Sequence, residues 1–494
     1  VDDDTAASLA APIVEILAAP TPLPLILDLD GTLLAADLLV ETFVLYIRRN
    51  PLRAFIVLLW LLRGPAHLKA RLAEATRLDV DSLPAREDVV ALARAHAAAG
   101  GRVFVYTAAH GALAARLLER FDFLEDVVGS DGAVNLKGAR KAAAMAARFP
   151  NGFVYVGDSA ADLPVWAIAA EAVFAGHSGR VLHRLRRLGV ATRVTSPPPA
   201  GLRDWAAAFR PHQWAKNTLV FVPLALGGAL GDVRAWGACA GGFLAMNMLA
   251  SGSYVLNDIL DLADDRAHWS KSARPFAAGR LSILAGLVAA PAAIVGGLAV
   301  GRLTGGAAPA AMLALYLATT LAYSFGLKRT PILDLAVIAS LFTLRLALGV
   351  TCAHVTWSPW LLVFSMLAFS SLSGAKRFTE LARLRARGGD RLAGRGYRAD
   401  DAPFLLALGV SLSVAAVLVM VLYLIEEAFR ADLYRTPQLL WALPVGLALW
   451  FSRVWLLCGR GELHDDPVAF AVRDRISLVL GGVLGAFTLA AVLL

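Results

Sequence analysis

Charge is what this sequence has least of. Only 17% of its 494 residues are charged, and 58% are hydrophobic. Soluble domains carry roughly 25% charged residues, so a chain that is soluble along its whole length is excluded. Cysteine is scarcer still. Cys239, Cys352 and Cys458 stand far apart, within or at the ends of apolar segments. That excludes a disulfide framework and a thiolate metal site, and leaves packing residues in a reducing or membrane setting. Residues 1–20 lack a basic stretch followed by an apolar one, so no secretory signal is expected there. Acid is also in deficit, with a net charge of +8. In a soluble protein that surplus would suggest nucleic acid. Here many cations fall in short loops between apolar segments, the mark of positive-inside topology, and no nucleic-acid partner is expected.

What is present divides near Arg210. Most of the charge lies before it and most long apolar runs lie after it. Before it, short apolar runs at 23–29, 102–107, 126–128 and 153–157 read as strands. Helical stretches at 111–120, 138–148 and 160–169 alternate with them. Such alternation predicts a mostly parallel sheet with covered faces, whose chemistry sits at the carboxyl ends of the strands. Residues 34–96 interrupt the pattern with helix-like sequence, an inserted cap. Within it, Ala54–Leu62 is too short to cross a bilayer; it reads first as a helix packing inside the cap, with contact to the membrane as the alternative.

The triple proline at Pro197–Pro199 marks a linker over 196–207. Leu202, Trp205, Phe209 and Trp214 then recur near helical spacing, among Arg203, Arg210 and Lys216, as an interfacial helix would. Nine spans are expected, near 217–232, 235–257, 281–301, 307–325, 331–350, 358–375, 403–425, 437–458 and 476–494. The connections at 258–280, 326–330, 376–402 and 459–475 hold most of the Lys and Arg that follow Arg210. This places the amino terminus inside and the carboxyl terminus outside.

Two constellations carry chemistry. In the first, Asp28-Leu29-Asp30-Gly31-Thr32 follows a strand and Thr107 ends another. Lys137 precedes a helix, and Asp158 and Asp162 follow a further strand. One carboxylate can attack phosphorus and one two residues on can serve as acid and base. Further acids suit Mg²⁺, and a hydroxyl and an ammonium bind phosphoryl oxygens. Over residues 23–195 this pattern resembles the haloacid dehalogenase (HAD) superfamily, especially its phosphoserine-phosphatase-like branch. The resemblance implies an α/β HAD-like, Rossmann-type domain over 1–195 with its cap at 34–96. It implies Asp28 as nucleophile and Asp30 as acid/base. Thr107 and Lys137 would bind phosphate, with Lys141 a second candidate for the lysine. Asp28, Asp158 and Asp162 would hold Mg²⁺.

In the second, Asn257, Asp261 and Asp265 recur at i, i+4 and i+8, one helix face. Oxygen donors at the end of an apolar segment are costly unless functional and suit Mg²⁺ bridging a diphosphate. With the surrounding residues 257–279, this resembles the first aspartate-rich motif of the UbiA superfamily of intramembrane transferases. The resemblance covers about 208–494, an all-α membrane domain. A second polar loop is expected from Tyr323 to Lys328, continuing to Asp334. The aromatic prenyltransferases of that superfamily have more aspartates there. Here the neighbourhood is basic, with Lys328, Arg329, Arg345, Lys376, Arg377, Arg395 and Arg398. A late loop, His464-Asp465-Asp466-Pro467, follows. With the stretch from Arg210 to Asn217, these residues look most like the decaprenyl-phosphate phosphoribosyltransferase branch.

The resemblance implies transfer of phosphoribose from phosphoribosyl pyrophosphate (PRPP) to a polyprenyl phosphate. Asp261 and Asp265, with Asn257, would carry Mg²⁺ in catalysis. Lys216, Lys271, Arg274, Tyr323, Lys328, Lys376 and Arg377 are candidates for substrate phosphates. The product would be a phosphomonoester, the bond that a HAD phosphatase cleaves. The implied setting is a bacterial inner membrane, both active sites facing the cytoplasm. The alternative is an aromatic prenyltransferase joined to a phosphatase of unrelated substrate.

Overall fold

The computed structural model describes residues 22–48, 50, 52–131, 134–195, 200–268, 271–386, 388–392, 394–430, 434–463, 470–471 and 473–494. The prolines of the expected linker and the loop at His464–Pro467 lie outside them. The chain forms two compact units. One runs to Phe209 and includes Val255–Ala289; the other comprises Arg210–Tyr254 and Ala290–Leu494.

The first unit is built on the parallel sheet that the alternation predicts. Its six strands are β1 (Leu25–Leu27), β2 (Val103–His110), β3 (Asp126–Ser130), β4 (Val154–Gly157), β5 (Glu171–Phe174) and β6 (Ala191–Val194). They lie in the order β3-β2-β1-β4-β5-β6, every pair parallel. Both faces are covered, so the central strands are apolar throughout rather than alternating. Leu25 and Leu27 point into one core, Ile26 into the other. The chain turns outward in opposite directions from β1, and a crevice opens at such a switch point. Asp28 leaves β1 there and Asp158 leaves the adjacent β4.

Four helices fill 34–98: α1 (Leu38–Arg48), α2 (Arg53–Leu62), α3 (Pro65–Ala75) and α4 (Glu87–Ala98). Val89, Val90 and Ala93 of α4 join a core of the sheet, so the cap proper is α1–α3. The expectation that Ala54–Leu62 packs inside the cap is overturned. Of α2 only Val57 is buried. A ten-residue helix held between two short connections turns one narrow face to Tyr46, Leu68 and Leu72 and the rest outward. Helix α5 (Ala139–Arg148) returns to the sheet.

The remaining long helices are α6 (Val233–Leu260), with the short α7 (Leu262–Arg266) after it, then α8 (Ile283–Gly305), α9 (Ala307–Phe325), α10 (Leu333–Ala353), α11 (Pro359–Ala386), α12 (Ala402–Glu426), α13 (Ala442–Gly459) and α14 (Arg475–Leu493). Among the described residues, seven helices are long and apolar enough to cross a membrane, α11 not among them. Its second half carries Lys376, Arg377, Glu380 and Arg383, which lowers its hydropathy. The expected span 217–232 is absent. Pro211–Phe221 is a 3₁₀ helix, then Val222–Leu226 makes little more than one α-turn. Pro223 sits in that turn, and Gly227 with the positive-φ Gly228 ends it, as these residues dictate. The interfacial helix is likewise shorter than expected. It stops at Phe209, where Arg210 takes a left-handed conformation, so Trp214 lies beyond it.

Within the second unit the helices approach through small residues, as helices in lipid do. A Cβ on Gly297 would meet Ala245 O at 2.7 Å, and one on Gly252 would meet Ala290 O at 2.7 Å. Polar glue recurs too. Ser371 and Ser413 lie 2.7 Å apart, and Trp455 donates to both at 3.1 Å.

Candidate active sites

A cavity of about 570 Å³ opens at the carboxyl edge of the sheet, lined by Asp28, Asp30, Lys137, Lys141, Asp158 and Asp162 among others. Strand order explains the convergence: β1 and β4 pair directly, so acids one residue beyond each strand become neighbours. Gly31 makes that approach possible. Its φ is +76°, and a Cβ there would stand 2.5 Å from Asp158 Oδ2, which only glycine avoids.

Lys141 Nζ donates to Asp28 Oδ1 at 2.8 Å and to the Tyr155 hydroxyl at 2.9 Å, and lies 3.7 Å from Asp162. Lys141, not Lys137, therefore touches the expected nucleophile. Lys137 lines the cavity wall. Thr107, expected on phosphate, is fully buried and is not among the residues lining the cavity; its Oγ1 accepts from the Ala109 N–H at 2.9 Å. Asp162 accepts from the Tyr155 hydroxyl at 2.8 Å and from Ser159 N and Oγ at 3.1 and 3.0 Å.

Burial, and then Asp37 close by, push the Asp30 carboxyl up to about 8. Burial and the charges of Asp28 and Asp162 push Asp158 up to about 7. Burial also raises Asp28, against the opposing pull of Lys141. Burial works against the Lys141 ammonium, yet Asp28 and Asp162 raise it above its ordinary value. Burial disfavours each charged carboxylate and the neighbouring carboxylates add to it, while the opposite charges around Lys141 favour its ammonium.

Oxygens of Asp28, Asp158 and Asp162 lie within 4.8 Å of one another, the one such set of three His, Cys, Asp or Glu ligands among the described residues. All-oxygen donors whose repulsion a cation would offset fit Mg²⁺. Lys69 and His110 also line the cavity. Lys69 of α3 reaches Ala108 O at 2.6 Å and Asn135 Oδ1 at 3.1 Å. His110 lines the cavity, and its buried Nδ1 has no partner among the described residues. No local motif marks either, because cap folding brings Lys69 there and the bent end of β2 brings His110.

The aspartate row of the first unit keeps its register through a break. Helix α6 stops at Leu260, but the Asp261 N–H still donates to Asn257 O at 2.9 Å and the Asp265 N–H to Asp261 O at 2.8 Å. Asn257 Nδ2 donates to Asp261 Oδ2 at 3.2 Å. Arg274 bridges Asp265 at 2.6 Å and Asp258 at 2.9 Å, and Lys271 lies 3.9 Å from Asp265. Arg274 and Lys271, expected on substrate phosphates, thus lie against the carboxylates of this row. The segment also meets the cap. Arg266 pairs with Glu41 of α1 at 2.6 and 3.0 Å, and Arg48 pairs with Asp264.

In the second unit Asp334 is fully buried. Its carboxylate accepts from Arg377 Nε at 2.6 Å, the Tyr323 hydroxyl at 2.8 Å and Arg395 at 2.9 Å. Arg377 also pairs with Glu380 at 2.6 Å. Tyr323 and Arg377, expected on substrate phosphates, are here both held by Asp334, together with Arg395. A separate buried cation, Arg345, is held by neutral groups: Asn217 Oδ1 at 2.7 Å, Leu341 O at 2.6 Å and the Tyr316 hydroxyl at 2.9 Å. Lys216 stands 5.9 Å from the centre of the Phe342 ring. Lys328 follows α9 in a 3₁₀ turn, and Lys376 lies in α11.

The UbiA prenyltransferase family profile matches residues 218–490. The chain is 39% identical to uncharacterized protein y4nM of Sinorhizobium fredii over 470 residues, 95% of this chain and 91% of that one. It is 36% identical to nodulation protein NoeC of Azorhizobium caulinodans, over 57% of this chain and 95% of the relative. It is 32% identical to decaprenyl-phosphate phosphoribosyltransferase of Mycobacterium tuberculosis, over 58% of this chain and 93% of the relative.

Proposed function

The chain belongs to the UbiA prenyltransferase family and is a multi-span membrane protein, and from that premise we propose that it carries out two consecutive reactions. The domain over 208–494 moves 5-phosphoribose from PRPP to a polyprenyl phosphate. The HAD-like domain over 1–195 then removes the 5-phosphate from the lipid-linked product. Similarity to a decaprenyl-phosphate phosphoribosyltransferase over 93% of that relative supports the first step. The observation that carries it is the state of Asp334. Two arginines and a phenol occupy its oxygens. The aspartate of this region is thus tied up in ion pairs and does not present the second acidic row of an aromatic prenyltransferase.

In the transfer, an acceptor phosphate oxygen attacks the anomeric carbon of PRPP and pyrophosphate leaves. Asn257, Asp261 and Asp265 are assigned to Mg²⁺. Lys216, Lys271, Arg274, Tyr323, Lys328, Lys376 and Arg377 are assigned to the substrate phosphates, where charge neutralisation and positioning lower the barrier. In the hydrolysis, Asp28 attacks phosphorus while Asp30, protonated near neutrality, gives its proton to the departing ribose oxygen. Asp30 then takes a proton from the water that cleaves the aspartyl phosphate. Lys141 holds Asp28 in line, while Lys137 and Thr107 are assigned to phosphoryl oxygens. Mg²⁺ on Asp28, Asp158 and Asp162 supplies neutralisation of phosphoryl charge. Purified protein given PRPP and polyprenyl phosphate is expected to yield a lipid-linked pentose, read by mass. Transfer of a prenyl group to an aromatic acceptor, with no PRPP-derived lipid, would overturn the reading.

Both reactions are placed on the cytoplasmic side of a bacterial inner membrane, on the bias of Lys and Arg among the loops. Arg187 is exposed and lies outside the spans and the interfacial helix. An Arg187→Cys variant is therefore expected to resist membrane-impermeant maleimide in intact cells and to react after lysis. Labelling of intact cells would invert the topology.

A further inference from the structure

Helix α2 presents an apolar surface that the described residues of the first unit leave uncovered. Phe55 is 67% exposed, Leu58 58%, Leu59 62% and Leu62 84%. Water-soluble surfaces rarely leave such a run uncovered. Its charge surroundings are one-sided. From Thr42 to Ala73 there is no Asp or Glu, while Arg48, Arg49, Arg53, Arg63, Lys69 and Arg71 occur. Arg53 lies 5.1 Å from the Tyr46 ring centre and Arg71 5.6 Å from that of Trp60, so cations flank the helix on both sides. An apolar face edged by cations, only about 15 Å long at 1.5 Å per residue, suits insertion into the surface of an anionic bilayer, not a span.

The same unit contains the ends of two spans, Val255–Leu260 of α6 and Ile283–Ala289 of α8, so it lies at a membrane face by its own content. Arg48, at the end of α1, pairs with Asp264, four residues beyond the end of α6. Helix α2 begins five residues after Arg48. The apolar helix thus starts beside the place where a span leaves the bilayer. Its far end leads, through Gly64, into α3, whose Pro65 and Lys69 line the cavity that holds Asp28.

We propose that α2 is seated in the anionic bilayer surface and that the cap thereby admits phosphomonoesters carried by membrane lipids to Asp28. This rests on the phosphatase reading above, and adds how a lipid-borne substrate is admitted to its cavity. Helix α2 holds the cap against the lipid headgroups, so the phosphate of a membrane-anchored chain reaches the cavity without leaving the bilayer.

The full chain is reconstituted in vesicles containing phosphatidylglycerol. The native cysteines are buried, so a bimane on the Leu59→Cys variant reports position 59. Brominated lipid is expected to quench it strongly. No quenching, or disulfide cross-linking of the introduced thiol between two copies, overturns the proposal, the latter because a second copy then covers the helix. Separately, Leu58→Glu with Leu62→Glu is compared with wild type on hexadecyl phosphate in the vesicles and on soluble p-nitrophenyl phosphate. Hydrolysis of hexadecyl phosphate is expected to fall about tenfold with the lost apolar contact, that of p-nitrophenyl phosphate to stay unchanged. Equal rates for variant and wild type on both, or an equal fall on both, overturns it. Wild type that hydrolyses neither compound defeats the phosphatase reading instead, and quenching at position 59 still judges the membrane seat.

Discussion

Asp28→Asn is expected to stop the reaction sequence halfway, leaving a lipid-linked pentose that still carries its phosphate. The amide has nearly the same size as the carboxylate but cannot attack phosphorus. Loss of a nucleophile of this kind lowers the rate by about 10³-fold or more. The fold should survive, because Lys141 keeps Asp162 at 3.7 Å and the Tyr155 hydroxyl at 2.9 Å. Transfer from PRPP should be unaffected. Wild type should release the same lipid lighter by one phosphoryl group, as mass spectrometry of the lipid extract would reveal. Identical phosphorylated lipid from both proteins would detach the phosphatase from the transferase product and leave it another substrate.

The second large effect concerns the aspartate row. Asp261→Asn is expected to cut PRPP-dependent lipid labelling by about 10²–10³-fold, the scale on which one charge-stabilising group counts in catalysis. Its amide oxygen can still accept the hydrogen bond from Asn257, so the melting temperature should hardly move. Asp265→Asn is different, because Asp265 is also the 2.6 Å partner of Arg274. It should lower both labelling and melting temperature, since a half-buried cation loses one of its two carboxylates. Neither change should alter Asp28-dependent hydrolysis of p-nitrophenyl phosphate. Labelling within twofold of wild type in both variants would remove Mg²⁺ from these residues.

Several features of this protein follow from local sequence. Period and length alone distinguish strands that end in acid from long apolar helices. A parallel sheet sends every strand's carboxyl end to one edge, so acids placed just after β1 and β4 had to lie along that edge, and the pairing of the two strands made them neighbours. The i, i+4 spacing of Asn257, Asp261 and Asp265 likewise kept its backbone ladder through the end of α6.

What only the tertiary structure decided depends on partners distant in the chain. Lys137 and Lys141 flank the start of the same helix. Which one reaches Asp28 is set by how α5 docks on the sheet. Lys69 enters the cavity because α3 folds over it. Asp334 loses its freedom to residues 43 and 61 positions away, Arg377 and Arg395. The apolar composition of α2 could not distinguish a buried cap helix from an exposed one. Hydrophobicity states that a surface avoids water, but only the packing around it tells whether protein covers it.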